Sequence, residues 1–229
     1  MKAFLLAAGI GSRLRPLTDT TPKCMIPVGG RPMLDIWLDA LAKADVDEVL
    51  VNLHYLADIV RRHLSARTAA PRVRMSFEET LLGSAGTLAA HRDWVDGEEF
   101  FLAVNADNLT DFPLESLIDT QRAHSAPATL TVFHSDNPSA GGVLETDASG
   151  RVTSFTEKPQ NPVSDLVNAG IYAFTPSVLD EIGEPPRDFG YHLLPGLVGR
   201  AQTVVIDGYF RDIGTPDAYH RAQQEWTAR

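Results

Sequence analysis

Short apolar runs alternate with helical patterns along the first half of the chain, and this alternation restricts the choice of fold more than any other feature. The first run, Ala3 to Ala8, is continuously apolar, as expected of a strand buried on both faces. Met33 to Ala44 then repeats apolar residues at helical spacing, with Leu34, Trp37, Leu38 and Leu41 on one face. Alternation of this kind predicts an α/β fold built on a largely parallel sheet.

The second half of the chain has a different pattern. In the first half, further strands are predicted at 49–53, 73–77 and 100–104, with a helix at 56–64. In the second half, β-like runs at 128–133, 142–145, 152–157 and 167–174 follow one another with few helical patterns between them, and a helix is predicted at 215–226. We therefore expect antiparallel additions to one mixed sheet and a single domain over residues 1–229. Pro185-Pro186-Arg187 is the best linker candidate.

Composition excludes several classes of function. The chain has 229 residues and a net charge of −10, which argues against binding nucleic acid over a broad basic surface. Its single cysteine excludes a disulfide framework and a cysteine-rich zinc site. The apolar run at the N-terminus is too short for a signal peptide or a membrane span. We expect a soluble cytoplasmic protein with no nucleic-acid or membrane partner, although a few local cations could still form a pocket for a small anion.

A glycine-rich loop follows the first predicted strand and carries the strongest chemical signal. The segment runs from Leu6 through Gly9, Gly11 and Arg13 to Pro16, and Thr21-Pro22-Lys23 comes shortly after it. Glycines let the backbone approach a phosphate chain, and the two cations supply positive charge. The simpler interpretation is a tight turn with solvated cations. A dinucleotide site is excluded because Leu14 stands where its third glycine is required, and no acidic residue lies near position 29.

Six sequence blocks together resemble the sugar-1-phosphate nucleotidyltransferases, also called NDP-sugar pyrophosphorylases. The first block is the glycine loop with its P-K pair, which is similar to the family signature G-x-G-x-R…P-K. The other five, in family order, are Leu82-Gly83-Ser84-Ala85-Gly86, Asn105-Ala106-Asp107, Glu157-Lys158-Pro159, Asn168-Ala169-Gly170-Ile171-Tyr172 and Asp212-Ile213-Gly214-Thr215-Pro216. Because the blocks span nearly the whole chain, the resemblance is specific.

The resemblance implies a fold, a reaction and a role for each matching residue. The implied fold is a Rossmann-like three-layer α/β/α sandwich with a mixed, mainly parallel central sheet, the GT-A-like nucleotidyltransferase fold. The implied reaction joins a nucleoside triphosphate to a sugar 1-phosphate and releases pyrophosphate. The implied residues are Arg13, Lys23, Asp107 and Asp212 for catalysis, with Asp107 and Asp212 on Mg²⁺; Leu6, Ala8, Gly9, Gly11, Glu79, Gly83 and Gly86 for the nucleotide; and Gly142, Glu157, Lys158 and Asn168 for the sugar phosphate.

Each assignment has a purely structural alternative. Asp107 and Asp212 could cap or form turns, and Lys158 could be an exposed turn residue. Asn168 could bond neighbouring backbone groups. A catalytically inactive, nucleotide-sugar-binding regulatory subunit is the alternative to an enzyme, although such a subunit would be expected to have lost one of the charged residues.

The base and the sugar are harder to predict. Glu79 lies four residues before Gly83, and a carboxylate can accept two hydrogen bonds from guanine but would repel the carbonyl edge of uracil. The form E-x-x-L-G resembles mannose-1-phosphate and heptose-1-phosphate guanylyltransferases. Solvent-facing roles for Glu78 and Glu79 are the alternative. N-acetylmuramate-1-phosphate uridylyltransferases are the second candidate and choline-phosphate cytidylyltransferases the third.

The chain departs from the family pattern at three positions. Cys24 replaces a frequent proline and puts a thiol beside Lys23, where a lowered thiol pKa is conceivable; Ala106 replaces a glycine, and Phe210 a tryptophan. None of these changes removes a charged group. We also expect no C-terminal left-handed β-helix after Pro216, and a homo-oligomer is compatible with the sequence.

Overall fold

Residues 1–227 are described in the computed structural model, and they divide between two units of the chain. The first unit contains Met1–Leu81, Val104–Asp111 and the residues from Tyr209 onward. The second contains Leu82–Ala103 and Phe112–Gly208. Each unit combines strands with helices, and each is described in turn.

The first unit is built on parallel strands. Its strands are β1 (Lys2–Leu6), β2 (Pro27–Val28), β3 (Arg31–Pro32), β4 (Glu48–Leu53), β5 (Arg72–Phe77), β7 (Asn108–Thr110) and β13 (Phe210–Asp212). Its helices are α1 (Met33–Lys43), α2 (Ala57–Ala66) and α6 (Pro216–Thr227). β1 pairs with β4 and β4 with β5, both in parallel, so their carboxyl ends share one edge. β2 pairs with β3 and β7 with β13 in antiparallel ribbons.

Helix α1 forms where its apolar residues share one face. Met33, Leu34, Trp37, Leu38 and Leu41 are all buried. The indole Nε1 of Trp37 donates to the carbonyl oxygen of Asn108 over 2.7 Å, so this helix supports the short strand β7. The helix ends at Lys43, two residues before Asp45, which has a φ of 57°.

The second unit is mainly antiparallel. Its strands are β8 (Ala128–His134), β9 (Gly142–Thr146), β10 (Val152–Glu157), β11 (Leu166–Phe174) and β12 (Gln202–Val205), and its helices are α3 (Ser84–Ala90), α4 (Arg92–Val95) and α5 (Leu114–Ala123). β11 pairs with β8 and β9 in antiparallel, and β9 with β10, whereas β12 joins β8 in parallel. β6 (Phe101–Asn105) precedes the loop that carries Asp107.

The predicted elements are found with small shifts at their ends, and the antiparallel character of the second half is confirmed. The expectation of few helical patterns between those β-like runs agrees with the structure, but α5, which precedes them, was not predicted. Helix α5 carries Leu114, Leu117, Ile118 and Gln121 on its buried face. Its fourth inward position is polar: the Gln121 amide donates to Ala126 O and its carbonyl oxygen accepts from Thr129 Oγ1. Between residues 1 and 227, no helix has the length and apolar character needed to cross a membrane.

The linker interpretation of Pro185-Pro186-Arg187 is wrong. The Arg187 amide donates to Leu82 O over 2.9 Å, and the Arg187 carbonyl accepts from the amides of Ala85 and Gly86. The segment is therefore bound to the start of α3 and packs as an integral part of the second unit.

Candidate active site

The glycine loop begins where β1 ends, and neighbouring strands hold its first residues. The Ala7 amide donates to Asn52 Oδ1 over 2.7 Å, and Asn52 Nδ2 donates to Glu78 Oε1 over 2.9 Å. Asn52 and Glu78 are each 4 % exposed. The sequence motifs predict no ligand-binding role for either residue, although the polar Asn52 within an apolar strand is a visible signal.

The two loop glycines have different requirements. Gly11 has a φ of 68°, and an added β-carbon there would lie 2.9 Å from Cγ2 of Thr18, whose hydroxyl donates to Gly11 O over 2.8 Å. Gly9, in contrast, has no atom within 4 Å of the position of a β-carbon. A cavity of about 220 Å³ opens beside it, lined by Leu6, Ala7, Gly9, Lys23, Cys24, Asn105, Ala106 and Asp107. Thr18 therefore fixes the conformation of the loop, and Gly9 leaves room for a ligand.

Lys23 and Asp107 face each other across this cavity. Lys23 lies in a short 3₁₀ turn, Lys23–Met25, directly after Pro22. Its Nζ is 2.5 Å from Asp107 Oδ2, and the lysine side chain is only 10 % exposed whereas that of Asp107 is 33 % exposed. The ion pair compensates the burial of the lysine and keeps a positive charge at the end of the glycine loop.

Asp212 reaches the same place from a distant part of the sequence. The β7–β13 ribbon sets Asp212 opposite Asn108, and the Ile213 amide donates to the Asp107 carbonyl over 3.0 Å. Asp212 keeps an exposed surface, but the protein around its carboxyl limits solvation and raises its pKa, and the negative charge of Asp107 raises it further, against the opposing effects of Lys23, the Gly214 amide and Arg13. Asp107 and Asp212 thus lie close enough to repel each other.

This arrangement fits a divalent cation. Two carboxylates that destabilise each other's charge are stabilised when a cation binds between them, and carboxylate oxygens are the ligands that Mg²⁺ prefers. In the described part of the chain, no cluster of three or more His, Cys, Asp or Glu side chains could hold a metal ion. The remaining coordination positions would therefore be left to water or to ligand phosphates.

Arg13 completes the charged cluster. It lies in the 3₁₀ turn Ser12–Leu14, and Gly214 leaves space for its guanidinium. A β-carbon on Gly214 would be 2.8 Å from Arg13 Nη2 and also 2.8 Å from Asp212 Oδ1. The glycine in the Asp212-Ile213-Gly214 turn therefore permits a cation and a carboxylate to approach each other.

Helix α6 holds the segment that follows Lys23. Tyr219 Oη and Gln223 Nε2 both donate to Pro27 O, over 2.9 Å and 2.6 Å. The Gly29 amide donates to Gln223 Oε1 over 3.2 Å. The β2–β3 ribbon is thereby fixed by the helix that begins just after Asp212.

Cys24 does not have the reactive character that its position beside Lys23 suggested. The residue is 2 % exposed, and burial raises the pKa of its thiol to about 12. The lowered pKa considered from sequence is therefore wrong, because burial disfavours the charged thiolate.

The two glutamates before the predicted base loop have opposite environments. Glu78 is buried and bonded to Asn52, and its carbonyl oxygen lies 2.8 Å from His54 Nδ1. Glu79 is exposed. The solvent-facing alternative is therefore wrong for Glu78 and is observed for Glu79, which is also the residue of the two that is accessible to a ligand.

In the second unit, the predicted base loop has a structural reason for its glycines. Gly83 has a φ of 78°, and a β-carbon there would lie 2.7 Å from the carbonyl carbon of Arg187. A β-carbon on Gly86 would be 3.2 Å from Pro185 Cβ. The close approach of the 185–187 segment therefore requires glycine at position 83 and leaves little room at position 86. The contact of these glycines with a nucleotide stays a prediction.

Glu157 and Lys158 lie at the end of β10 and form a loose ion pair. Lys158 Nζ is 3.8 Å from Glu157 Oε1, the lysine side chain is 57 % exposed and that of Glu157 is 16 % exposed. Burial raises the pKa of the Glu157 carboxyl, and Lys158 partly opposes that shift. Lys158 has a φ of 46°, a strained conformation of the kind found at ligand sites. Gly142 lies beside this pair, because a β-carbon there would be 2.9 Å from Glu157 Oε2.

Asn168 sits at an irregularity of β11. Its Oδ1 accepts from the Gly170 amide over 3.2 Å, and its Nδ2 donates to Tyr172 Oη over 2.6 Å. The backbone-bonding alternative is therefore observed. An amide has four hydrogen-bonding positions, so these two bonds do not exclude a ligand.

Comparisons with known proteins identify the family to which the chain is similar. The family described as nucleotidyl transferase matches residues 2–229. The chain is 35 % identical over 222 residues to mannose-1-phosphate guanyltransferase beta-B of Xenopus laevis, covering 94 % of this chain and 62 % of the relative. It is 35 % identical over 227 residues to mannose-1-phosphate guanylyltransferase 1 of Arabidopsis thaliana, covering 96 % and 63 %. The chain therefore spans less than two thirds of the length of these relatives.

The fold is also found among solved structures. The crystal structure of HddC from Yersinia pseudotuberculosis has a TM-score of 0.83 to this chain at 23 % identity, covering 98 % of this chain and 99 % of that one. A second HddC structure, complexed with GMP-PN, has a TM-score of 0.82. The predicted fold class, α/β with a mixed central sheet and flanking helices, is confirmed.

Proposed function

The chain belongs to the nucleotidyl transferase family, and we propose that it is an enzyme that transfers a nucleotidyl group from a nucleoside triphosphate to a sugar 1-phosphate. The observation that carries the proposal is the cluster of Arg13, Lys23, Asp107 and Asp212 around an open glycine loop. Such a cluster matches a reaction in which two multiply charged anions must be brought into contact, because neutralisation and positioning supply most of its catalysis.

The reaction needs no covalent enzyme intermediate. A phosphate oxygen of the sugar 1-phosphate attacks the α-phosphorus of the triphosphate, and the bond from that phosphorus to the bridging oxygen of the β-phosphate breaks. The bonding electrons leave with pyrophosphate. Arg13 stabilises the charge that develops on the departing group, and Lys23 stabilises the α-phosphoryl oxygens.

Enzymes of this family generally use a divalent metal ion, and we assign Mg²⁺ to Asp107 and Asp212. When bound, the ion supplies positive charge that neutralises and orients phosphate oxygens. Asp107 already accepts the Lys23 ammonium, so this carboxylate orients the lysine as well.

We assign guanine as the base and mannose or heptose as the sugar. The exposed carboxylate of Glu79 suits the N1–H and N2 amino donors of guanine, and the mannose-1-phosphate guanylyltransferases similar to this chain support the same base. Lys158 contacts the sugar phosphate, and Glu157 and Asn168 bond sugar hydroxyls.

Pyrophosphate release tests the proposal directly. GTP, UTP, CTP, ATP and dTTP are each combined with mannose, glucose, heptose and N-acetylmuramate 1-phosphates, with and without Mg²⁺. Release from GTP with mannose or heptose 1-phosphate is expected, and Asp107→Asn should lose it. Release only with UTP and N-acetylmuramate 1-phosphate would support the uridylyltransferase alternative. A folded protein that binds nucleotide but releases nothing in any combination would favour the regulatory subunit.

A further inference from the structure

The segment Arg187–Gly190 contacts two groups of predicted site residues within the second unit. At one end, the backbone of Arg187 bonds Leu82 O and the amides of Ala85 and Gly86. The segment then enters a π-helical turn, Phe189–Leu193, a rare geometry that often occurs at functional sites. The sequence pattern indicated none of these contacts, because most of them involve backbone atoms.

Ser84 anchors this segment through two hydrogen bonds. Its hydroxyl accepts from the Phe189 amide over 2.9 Å, and its own amide donates to Asp188 Oδ1 over 3.3 Å. These bonds join the residue after Gly83 to the start of the π-helical turn. A change in either partner would therefore shift the other.

Gly190 determines where the Glu157 carboxylate can lie. A β-carbon on Gly190 would overlap Glu157 Oε2 and stand 2.5 Å from its Cδ and 3.0 Å from its Cγ. Gly142 also lies close to this oxygen, because a β-carbon on Gly142 would be 2.9 Å from Glu157 Oε2. The carboxylate occupies space that exists because both neighbours lack a side chain.

The same segment supports the second predicted sugar ligand. The ring of Phe189 packs edge-on against that of Tyr172, with 4.9 Å between centroids. Tyr172 Oη in turn accepts from Asn168 Nδ2 over 2.6 Å. Residues 187–190 therefore touch the loop at 82–86, touch Glu157, and reach Asn168 through Tyr172.

We propose that Gly190 is a positioning residue for binding of the sugar 1-phosphate. Because Gly190 lacks a side chain, the Glu157 carboxylate lies where it can accept hydrogen bonds from sugar hydroxyls. Ser84 anchors the turn that carries Gly190. The proposal rests on the proposed function, because it needs Glu157 to face the sugar. A β-carbon at position 190 meets the flexible end of Glu157, so Gly190→Ala should fold and displace the carboxylate. We therefore expect this substitution to weaken binding of the sugar 1-phosphate but not binding of the nucleotide.

Steady-state kinetics of Gly190→Ala, Glu157→Ala and the double variant test this selectivity. Gly190→Ala alone should raise KM for the sugar 1-phosphate about tenfold, the loss expected when a charged hydrogen bond is removed, and leave KM for the nucleotide within about twofold. In the Glu157→Ala background the same substitution should change neither KM. Ser84→Ala should raise both KM values, and Ser84→Thr, which keeps the hydroxyl, should restore them. An equal effect of Gly190→Ala in both backgrounds, or no effect in either, would overturn the proposal.

Urea unfolding of the same variants separates this proposal from the proposed function. Gly190→Ala should lower the unfolding free energy in the wild-type background, yet be neutral or stabilising once Glu157 is truncated, because alanine restricts the unfolded chain more than glycine does. Additive effects would contradict the contact itself. If the effects are not additive but the wild type transfers to no sugar 1-phosphate, the contact stands and its role in sugar binding is rejected together with the proposed function.

Discussion

The Ile213 amide donates a hydrogen bond to the carbonyl oxygen of Asp107 over 3.0 Å, and this bond joins two loops that lie far apart in the sequence. The residue before Ile213 is Asp212, whose carboxyl has a raised pKa because the surrounding protein limits its solvation and because it faces the charge of Asp107. Backbone pairing thus sets the geometry of the carboxylate pair. The pair consequently depends on the β7–β13 ribbon as much as on the two side chains.

We expect Asp107→Asn and Asp212→Asn each to lower Mg²⁺-dependent pyrophosphate release by about 100-fold or more, because each removes a charge that offsets the cation. Both substitutions keep the size of the side chain, so circular dichroism should show an unchanged fold. Asp207→Asn, at an exposed carboxylate, is the matched control and should keep its activity. Full activity in either variant would contradict a metal role for that residue.

Glu78 and Glu79 offer an adjacent pair for testing base recognition. Glu79→Gln should reduce the preference for GTP over UTP by about tenfold, since a hydrogen bond to a charged acceptor is lost. Glu78→Ala should instead lower the unfolding free energy by about 1–3 kcal/mol, because it removes a buried partner of Asn52. Nucleotide competition and urea unfolding measure the two effects. Unaltered base preference in Glu79→Gln would assign base recognition to other residues.

The kcat/KM for the sugar 1-phosphate should depend on the ionisation of Glu157. Burial raises the pKa of this carboxyl above its ordinary value of 4.5. As pH falls through the raised pKa, the carboxylate becomes neutral and accepts hydrogen bonds less well, so kcat/KM should decrease. The ratio of wild type to Glu157→Gln isolates this effect from titration of the substrate phosphate. A ratio that does not change between pH 4 and pH 8 would contradict the prediction.

The same raised pKa has a consequence for stability, and its sign is opposite to that of a salt bridge. The folded state binds the Glu157 proton more tightly than the unfolded state, so this group destabilises the protein as pH rises through the window above 4.5. Glu157→Gln should therefore raise the unfolding free energy more at pH 8 than at pH 4. Denaturant titration at the two pH values measures the difference.

Cys24 should be inert in the folded protein. A thiol with a pKa of about 12 has about a thousandfold fewer thiolates at neutral pH than one at 9.0, and its side chain is almost fully buried. Reaction with a disulfide reagent should therefore be slow until the protein is unfolded in urea. Cys24→Ser should keep catalytic activity. Rapid labelling of the native protein would show that the segment around Lys23 opens.

The parts of the site that follow strand ends could be predicted from sequence. Gly9 and Lys23 lie in a recognisable motif, and the apolar run of β1 locates the motif at the sheet edge. The approach of Asp212 to Asp107 depends on pairing between distant short strands, which periodicity does not show; only the family resemblance indicated it. Helix α5 was predictable from its apolar spacing and was missed.

Contacts made by backbone atoms could not be predicted. Arg187 supports the loop at 82–86 through its amide and carbonyl, which every residue type carries. Gly190 is important because it has no β-carbon to collide with Glu157. The prolines at 185 and 186 suggested a linker instead. Thr18 has an ordinary side chain, and its importance follows from the bond that its hydroxyl donates to Gly11 O.

The β7–β13 ribbon and helix α6 also set the order in which the first unit can be completed during synthesis. Chains emerge from the ribosome with the N-terminal part first. A chain that has been made as far as Asp107 carries Arg13 and Lys23, but it still lacks Asp212, 105 positions further on, and the helix that holds Pro27. A nascent chain of that length would therefore have the phosphate-binding loop without the second carboxylate, and catalytic competence would arise only after Asp212 and helix α6 have been translated.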